Sequence, residues 1–250
     1  MLEVKKLCKS YHTGGKEYQV LHNLNFIIEK GEFVAVMGKS GSGKTTLLNC
    51  ISQFLPYDSG SILLNGRDLS QLKEEELAEI RNKELGFVFQ DFMLLDGLTV
   101  FENVCVPRVI GKAQYDEMEK RAKRLLQMFE IHSIADKLPV EISGGQKQRT
   151  AVARALMNEP YIILADEPTG NLDSHSSKAV IDAFLKAKKE LEATIFMVTH
   201  DSYAASYCDR VLVMQDGKLF TSLKNQGNRQ KFMDGLLEVL RTLNGGEEDE

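Results

Sequence analysis

The chain has 250 residues, 43% hydrophobic and 27% charged, as in a globular protein with one core or one domain carrying an inserted lobe. Its formal charge of −5 argues against a protein that binds nucleic acid mainly through phosphate contacts, so we expect no nucleic-acid partner. The N-terminus does not resemble a signal peptide, and the apolar runs are shorter than the roughly 20 residues that span a bilayer, so we expect another chain to supply any membrane-spanning part.

Short β-branched runs alternate with helical patterns along the chain. Continuous apolar strands between helices are typical of a parallel sheet covered on both faces, so the predicted fold class is α/β. The predicted strands are 33–37, 86–89, 161–165, 194–199 and 210–214. The four cysteines lack zinc-ligand spacing and are expected to be reduced and buried: Cys8, Cys50, Cys105 and Cys208.

The sequence GKSGSGKT, residues 38–45, lies between the first predicted strand and a helical run. Glycine, four residues and then Gly-Lys-Thr is the pattern of a phosphate-binding loop, and an idle glycine loop is the alternative. In such a loop Lys44 places its charge between the β- and γ-phosphates, and the Thr45 hydroxyl can bind Mg²⁺. The predicted phosphate-binding residues are Gly38, Lys39, Ser40, Gly41, Ser42, Gly43, Lys44, Thr45 and Thr46.

Strand patterns stop after Gln90, and helical patterns dominate up to residue 159. We therefore predict an α-helical subdomain, about residues 91–159, inserted into the α/β domain, with Gln90 at the junction. Within it, Ser143 precedes a helix that we expect to end at Pro160, and the sequence ISGGQKQR, residues 142–149, resembles an anion cradle that has no lysine at the position that grips a phosphate. A second helix, beginning near Asp116, has an apolar stripe that indicates core packing: Met118, Ala122, Leu125, Leu126 and Phe129.

Two further strands end in polar residues. The run YIILADE, residues 161–167, brings Asp166 and Glu167 to the carboxyl end of a strand, where parallel sheets bind ligands. Asp166 is suited to Mg²⁺ and Glu167 to polarising a water molecule. His200 follows the next strand, and a structural role is as plausible for it as a functional one.

The C-terminal part of the chain begins with a hairpin pattern, Gln215-Asp216-Gly217-Lys218, which predicts an antiparallel pair of strands. Beyond residue 225 the spacing of four apolar residues predicts a helical extension, followed by the acidic tail GGEEDE: Phe232, Leu236, Leu240 and Leu243. This extension either packs on its own domain or binds a partner. The predicted domain therefore covers residues 1–224, and the extension covers 225–250.

Taken together, these motifs resemble the ATP-binding subunit of ABC transporters, whose fold is that of a P-loop NTPase with a mainly parallel core, an antiparallel β part and an inserted helical subdomain. The resemblance implies ATP hydrolysis with Mg²⁺ and a head-to-tail dimer of two copies around two ATP. It also implies site roles: Tyr11 stacks on adenine, Gln90 senses Mg²⁺ or the attacking water, Glu167 and His200 act in catalysis, and Asp173 lies at the dimer seam. The loop that closes over the partner copy's nucleotide is implied to be Ser143, Gly144, Gly145 and Gln146.

Longer segments, such as GEFVAVMGKSGSGKTTLLN and GFVFQDFMLLDGLTVFENV, resemble the Bce-type ATPases of bacitracin and lantibiotic resistance. With Asn171, the sequence DEPTGNLD resembles that of the macrolide-export, lipoprotein-release and division-associated ATPases, whereas Ile142 stands where leucine is commoner. This resemblance implies an integral membrane permease on a separate chain, a sensor kinase acting through that permease, and a peripheral position on the cytoplasmic face of a bacterial membrane.

Other functions remain open on the sequence alone. The same ATP cycle could drive a mechanical signal through a membrane partner without cargo, as in division-associated ATPases. A cytosolic ATPase acting on ribosomes or DNA usually has two cassettes or a long coiled coil, and neither pattern is present in the sequence. A small-molecule kinase would leave ISGGQ and His200 unexplained.

Overall fold

The computed structural model describes residues 1–245, so the acidic residues of the predicted tail, 247–250, lie outside the described residues. The chain divides into two compact units: a first unit of residues 1–71 and 196–245, and a second unit of residues 72–195. The predicted helical subdomain falls inside the second unit, and its boundaries stay a prediction.

The elements alternate along the chain. The strands are β1 (Leu2–Thr13), β2 (Lys16–Ile28), β3 (Phe33–Met37), β4 (Ser59–Leu64), β5 (Arg67–Asp68), β6 (Leu85–Phe89), β7 (Ile162–Asp166), β8 (Ile195–Val198), β9 (Arg210–Gln215) and β10 (Lys218–Lys224). The α-helices are α1 (Lys44–Ile51), α2 (Glu74–Lys83), α3 (Val100–Ile110), α4 (Tyr115–Met128), α5 (Gly144–Ala155), α6 (Ser174–Leu191), α7 (Ser202–Ala205) and α8 (Arg229–Gly245). Short 3-10 turns occupy Leu69–Gln71, His132–Ile134 and Pro139–Glu141.

The first unit contains an antiparallel sheet in the order β2-β1-β4-β5, which was not located from the sequence. In the same unit β3 pairs in parallel with β9, and β9 pairs antiparallel with β10 through the predicted hairpin. Asp216 and Gly217 make that turn with φ of 47° and 72°. All five residues of β3 are buried, so the strand that leads to the phosphate loop lies in the core.

The second unit pairs β6 in parallel with β7, and the helices α2 to α6 complete it. The register places Phe89 beside Asp166, so Gln90 and Glu167 leave the two strands at the same edge. The predicted apolar stripe of α4 is buried in full, which confirms that it packs in the core. Mixed strand directions and the alternation with helices confirm the α/β fold class.

The C-terminal helix α8 packs on its own unit. Phe232, Leu236 and Leu243 are buried, and α8 lies against α7 and β10. The spacing of the leucines therefore reflects packing within this chain rather than an open surface for a partner. None of the helices described between residues 1 and 245 is long and apolar enough to cross a membrane.

Two predictions need correction. The helix after Ser143 ends at Ala155, well before Pro160, because the chain tightens into turns: the Met157 N–H donates to the Arg154 carbonyl oxygen at 3.1 Å, and the Glu159 N–H donates to the Leu156 carbonyl oxygen at 3.2 Å. The Arg121 guanidinium stabilises this turn by donating to the carbonyl oxygens of Leu156 at 2.9 Å and Met157 at 3.0 Å. Among the cysteines, Cys8 is only half-buried, and its sulfur accepts the Asn23 N–H at 3.3 Å.

Candidate functional site

The predicted phosphate loop connects β3 to α1 in the first unit. Gly43 is the N-cap of α1 with φ of 95°, a left-handed conformation that favours glycine. A Cβ there would lie 2.8 Å from Leu21 Cδ2, and one on Gly38 would lie 2.3 Å from the Met214 carbonyl oxygen. Residues of neighbouring strands therefore lie too close to this loop for a side chain at Gly38 or Gly43, so glycine is required at both positions.

Lys44 holds its ammonium group inside the same loop. Its Nζ donates to the carbonyl oxygens of Gly38 at 2.8 Å and Lys39 at 3.0 Å. The N–H groups of Lys44, Thr45 and Thr46 belong to the first turn of α1, where no helical acceptor exists. A positive charge and several backbone donors thus converge on one concave loop, an arrangement that suits a chain of phosphates.

His200 lies two residues beyond β8. The N–H of the preceding Thr199 donates to the carbonyl oxygen of Val36, in β3, at 3.1 Å. Because β3 leads directly into the phosphate loop, this bond fixes the segment that carries His200 beside the strand that carries the loop.

Tyr11 lies near the end of β1, opposite Tyr18 of β2. Its side chain is 39% exposed, and the Lys9 ammonium lies 5.6 Å from the centre of its ring. An aromatic face at the protein surface is able to stack on a nucleotide base.

The two predicted carboxylates of the second unit follow each other at the end of β7. Asp166 is the last residue of the strand, and Glu167 has φ of 45°, in the left-handed region. A non-glycine residue there stores about 1–3 kcal/mol of strain, of a kind that clusters at functional sites. The Gly170 N–H donates to the Glu167 carbonyl oxygen at 2.9 Å, so a tight turn maintains this conformation.

Gln90 is joined to the segment after Glu167 by Asn171. The Gln90 amide donates to Asn171 Oδ1 at 3.0 Å, and Asn171 Nδ2 donates to Asp91 Oδ1 at 2.8 Å. Asn171, which differs from the residue commoner at this position in the resembled family, thus links the segments that follow β6 and β7.

The ISGGQ sequence forms the N-terminus of α5. The Ser143 hydroxyl accepts the Gln146 N–H at 3.3 Å, while Gln146 Oε1 accepts the Ser143 N–H at 2.9 Å, so the two residues form a capping box. A Cβ on Gly144 would lie 3.0 Å from Leu172 Cδ2, and one on Gly145 would lie 3.0 Å from Ser176 Cβ. This loop therefore packs on the start of α6.

Asp173 has a structural function that was not foreseen. Its carboxylate caps α6 by accepting the N–H groups of His175 and Ser176, each at 2.9 Å. These hydrogen bonds, of which the one from Ser176 has the largest effect, lower the pKa of Asp173 below its ordinary value. The predicted position at a dimer seam stays a prediction.

A family model described as ABC transporter matches residues 21–170 of the chain. The chain belongs to the ABC transporter family. It is 48% identical over 249 residues to the ABC transporter ATP-binding protein YxdL of Bacillus subtilis (strain 168), covering 100% of this chain and 96% of that protein. It is also 46% identical over 250 residues to the bacitracin export ATP-binding protein BceA of Halalkalibacterium halodurans, covering 100% and 99%.

Solved structures agree with this assignment. The dimeric, post-hydrolysis structure of the ATP-binding cassette MJ0796 with ADP and Pi has a TM-score of 0.81 and 38% identity, covering 91% of this chain and 100% of that one. This chain is therefore the ATP-binding subunit of an ABC transporter, a P-loop NTPase that hydrolyses ATP.

Two residues that organise the second unit of this ABC ATPase were not predicted. Gln148 is fully buried in α5, and its amide donates to the carbonyl oxygens of Phe89 at 3.1 Å and Pro168 at 2.8 Å. Arg154, whose pKa is lowered by burial, donates to the carbonyl oxygens of Phe92, at 2.9 Å, and Met93. The sequence signal that could have found Gln148 is a glutamine among apolar neighbours on one face of the helix.

The structure thus groups the predicted residues of this ABC ATPase by unit. In the first unit the segment of His200 is bonded to the strand of the phosphate loop. In the second unit Asp166, Glu167 and Gln90 share one strand edge, and the Ser143 loop packs on the segment of Asp173.

Proposed function

We propose that two copies of this ATPase associate head to tail around two ATP molecules and so drive a separate membrane permease. The observation that carries this proposal is the contrast between two loops: the loop of Lys44 combines an ammonium group with backbone donors, whereas the loop of Ser143 is a helix N-terminus that offers a hydroxyl. The lysine that follows in this helix, Lys147, has its Nζ 5.9 Å from the centre of the Phe92 ring. The second loop is suited to complete a site whose charge is supplied elsewhere.

The capping box supports this role for Ser143. Its hydroxyl oxygen accepts from Gln146, so its proton is able to point away from the helix. Ser143 is exposed, and α5 presents the positive end of its dipole at the same place. An exposed hydroxyl donor at a helix N-terminus is well matched to the γ-phosphate of a nucleotide bound by the partner copy.

Within each copy, Lys44 and the N–H groups of the phosphate loop would bind the β- and γ-phosphates, and Tyr11 would stack on adenine. Glu167 would polarise the attacking water, while His200 contacts the γ-phosphate. Gln90 would report the state of the site through Asn171. The strained backbone of Glu167 supports its assignment, because the turn that fixes φ at 45° also fixes where the carboxylate begins.

The donors of Thr45 and Asp166 fit Mg²⁺, since a hydroxyl and a carboxylate are hard oxygen ligands. Mg²⁺ would neutralise phosphate charge when bound, and Gln90 would contribute a further amide oxygen. Among residues 1–245 there is no group of three or more His, Cys, Asp or Glu placed to bind a metal.

A groove in the second unit is suited to the permease. It has a volume of about 280 Å³ and is lined by Leu85, Phe89, Met93, Pro107 and Ile110. Met93 and Ile110 are 57% and 64% exposed, and Met93 lies three residues after Gln90. A short amphipathic helix of the permease would cover these apolar side chains and would move with the Gln90 segment. This contact would place the ATPase at the inner face of the membrane.

The cargo class that we propose is a peptide antibiotic such as bacitracin. Support comes from the similarity to BceA, which extends over the whole of this chain and nearly the whole of that protein. Cells that produce this ATPase with its permease should survive more bacitracin than cells with the Lys44→Ala variant. Equal survival would contradict the proposed cargo while leaving the ATPase cycle untouched.

The dimer is tested with Glu167→Gln on a sizing column. This variant should bind ATP, hydrolyse almost none of it and elute as a dimer only when ATP is present, because the closed pair is not released. Glu190→Gln, at an exposed carboxylate on α6, is the control and should behave like wild type. A Glu167→Gln variant that stays monomeric with saturating ATP would contradict the association, and one with wild-type hydrolysis would exclude the role of Glu167.

A further inference from the structure

The segment after His200 ends in a pair of tyrosines. Tyr203 and Tyr207 are joined by a hydrogen bond of 2.8 Å between their hydroxyl oxygens, and their rings meet edge to face with centroids 5.2 Å apart. Both side chains are half-buried. They form a compact aromatic platform, which we call the tyrosine pair.

The tyrosine pair is connected to His200 by a short chain of bonds. Asp201 Oδ1 accepts the Tyr203 N–H at 2.8 Å, and the Asp201 N–H donates to Thr199 Oγ1 at 3.0 Å. These bonds fix the residues on both sides of His200. A displacement of Tyr203 would therefore be transmitted to the histidine backbone.

The C-terminal helix touches this platform through its first residue. The guanidinium carbon of Arg229 lies 4.3 Å from the ring centre of Tyr207 and 5.3 Å from that of Tyr203. Both distances are within the roughly 6 Å over which a cation is attracted by an aromatic face. One arginine thus covers both rings at once.

The position of Arg229 is fixed by the linker before α8. The Asn225 N–H donates to the Asp209 carbonyl oxygen at 2.8 Å, and the Gly227 N–H donates to Asn225 Oδ1 at 3.0 Å. Asn228 caps α8 by accepting the Lys231 N–H at 3.0 Å. The linker therefore returns to the residues just beyond the tyrosine pair before the helix begins.

Asp209 extends the same connection to the phosphate loop. Its carboxylate accepts the N–H of Phe33, the first residue of β3, at 2.7 Å, and its own N–H donates to the Phe33 carbonyl oxygen at 2.8 Å. The strand of the phosphate loop, the tyrosine pair and the start of α8 are thus connected within the first unit.

We infer that Arg229 is a positioning residue for ATP hydrolysis: by stacking on the tyrosine pair it holds the His200 segment in its working position. This role rests on the proposed contact of His200 with the γ-phosphate. Attachment of α8 alone does not require the arginine, because Phe232 and Leu236 already bury the helix on its unit. The first residue of the C-terminal helix thereby supports ATP hydrolysis from outside the site.

The test compares ATP hydrolysis by the full chain in four variants. Arg229→Gln should lower kcat roughly fivefold with less than about a twofold change in the KM for ATP, because binding by the phosphate loop is intact. Arg229→Lys should recover most of kcat, since lysine keeps the charge over the rings. Arg241→Gln, exposed on the same helix, is the control and should match wild type, and His200→Ala should abolish hydrolysis.

The outcomes separate the two levels of the account. Wild-type kcat in Arg229→Gln, together with an inactive His200→Ala, would overturn the role of Arg229 alone. Parallel losses of kcat and Tm that Arg229→Lys fails to restore would also overturn it, since they indicate only a structural contact. Wild-type activity of His200→Ala would overturn the proposed role of His200, and the inference with it.

Discussion

The loops before α1 and α5 both contain glycines and both start a helix, yet they are built differently. Before α1 the N-cap is Gly43 in a left-handed conformation, with no side-chain cap, and Lys44 adds a cation. Before α5 the N-cap is Ser143 in an extended conformation, and its hydroxyl bonds the helix. A glycine cap leaves backbone donors for a ligand, whereas a serine cap uses one of them to fix a neutral hydroxyl.

This difference indicates how an ATP site can be divided. On the proposed model the first loop would bind phosphate without help, while the second would add one or two donors to a phosphate that is already held. Variants at each loop should therefore fail in different ways.

The largest effect is expected for Lys44→Ala. Without the ammonium group, ATP affinity should fall and kcat/KM should drop by at least about 100-fold, the scale for losing a charged donor in a phosphate site. A binding titration and steady-state kinetics measure both. Lys16→Ala, at an exposed lysine of the same unit, is the control. Unchanged ATP affinity in Lys44→Ala would show that the first loop is not the phosphate cradle.

Ser143→Ala separates capping from catalysis when compared with Thr99→Ala. Thr99 caps α3 in the same way, with its hydroxyl oxygen accepting the Glu102 N–H at 3.2 Å. Each variant should lose about 0.5–2 kcal/mol of stability. Only Ser143→Ala should also lose ATP turnover, by roughly 10- to 100-fold, as for one hydrogen bond to a charged group. Equal ATP turnover in the two variants would mean that Ser143 only caps its helix and has no role in hydrolysis.

Gln148→Met tests whether the second loop needs its support. The change removes the buried donor of the Pro168 carbonyl oxygen, whereas the Phe89 carbonyl oxygen keeps the N–H of Phe92 at 3.2 Å. An acceptor left unsatisfied in the interior costs about 1–3 kcal/mol. Thermal unfolding should show a Tm lower by about 2–4 °C for each kcal/mol lost. Gln127→Met, at an exposed position on α4, provides the control and should leave Tm near the wild-type value. Matching Tm values for both variants would mean that these bonds contribute nothing.

The smallest effect concerns the pH dependence of stability at Asp173. Because its pKa is lowered in the folded state, its charge stabilises the fold above the ordinary value of 3.8, and that contribution is lost as pH falls through the folded pKa. Asp173→Asn keeps a cap but has no charge to lose. Its Tm should therefore fall less steeply than the wild-type Tm between about pH 5 and pH 3. Identical slopes would exclude this contribution.

Much of the fold was predictable because its central strands are continuous and apolar. The strand at Phe33–Met37 was predicted to the residue, and the hairpin at Asp216-Gly217 was predicted from its turn. The resemblance implied an antiparallel β part, but its strands β1, β2 and β4 were not located from the sequence, although Gly14-Gly15 between two strand-like runs is a hairpin pattern. Its strands are irregular: β1 changes register at three places against β2, which obscures the alternation in the sequence.

The positions of Lys44, at the start of a helix, and Glu167, just after a strand, follow directly from the sequence pattern, while their roles stay predictions. Contacts with a distant carbonyl group were not predictable. Gln148 and Arg154 bond the carbonyl oxygens of residues 20 and 62 positions away, and no spacing rule connects such partners. The turn that ends α5 involves a similar contact, since Arg121 of another helix donates to the carbonyl oxygens of Leu156 and Met157.

The division of the site between two copies is tested most directly by mixing Lys44→Ala with Ser143→Arg. Each variant alone should be nearly inactive. Lys44→Ala removes the charge that binds the phosphates, and in Ser143→Arg the arginine side chain occupies the space of the hydroxyl group that would donate to the γ-phosphate. In a mixed dimer one site combines the intact first loop of one copy with the intact second loop of the other, so roughly a quarter of wild-type activity should return. No recovery, with mixed dimers shown to form, would mean that both loops act within one copy and would contradict the account.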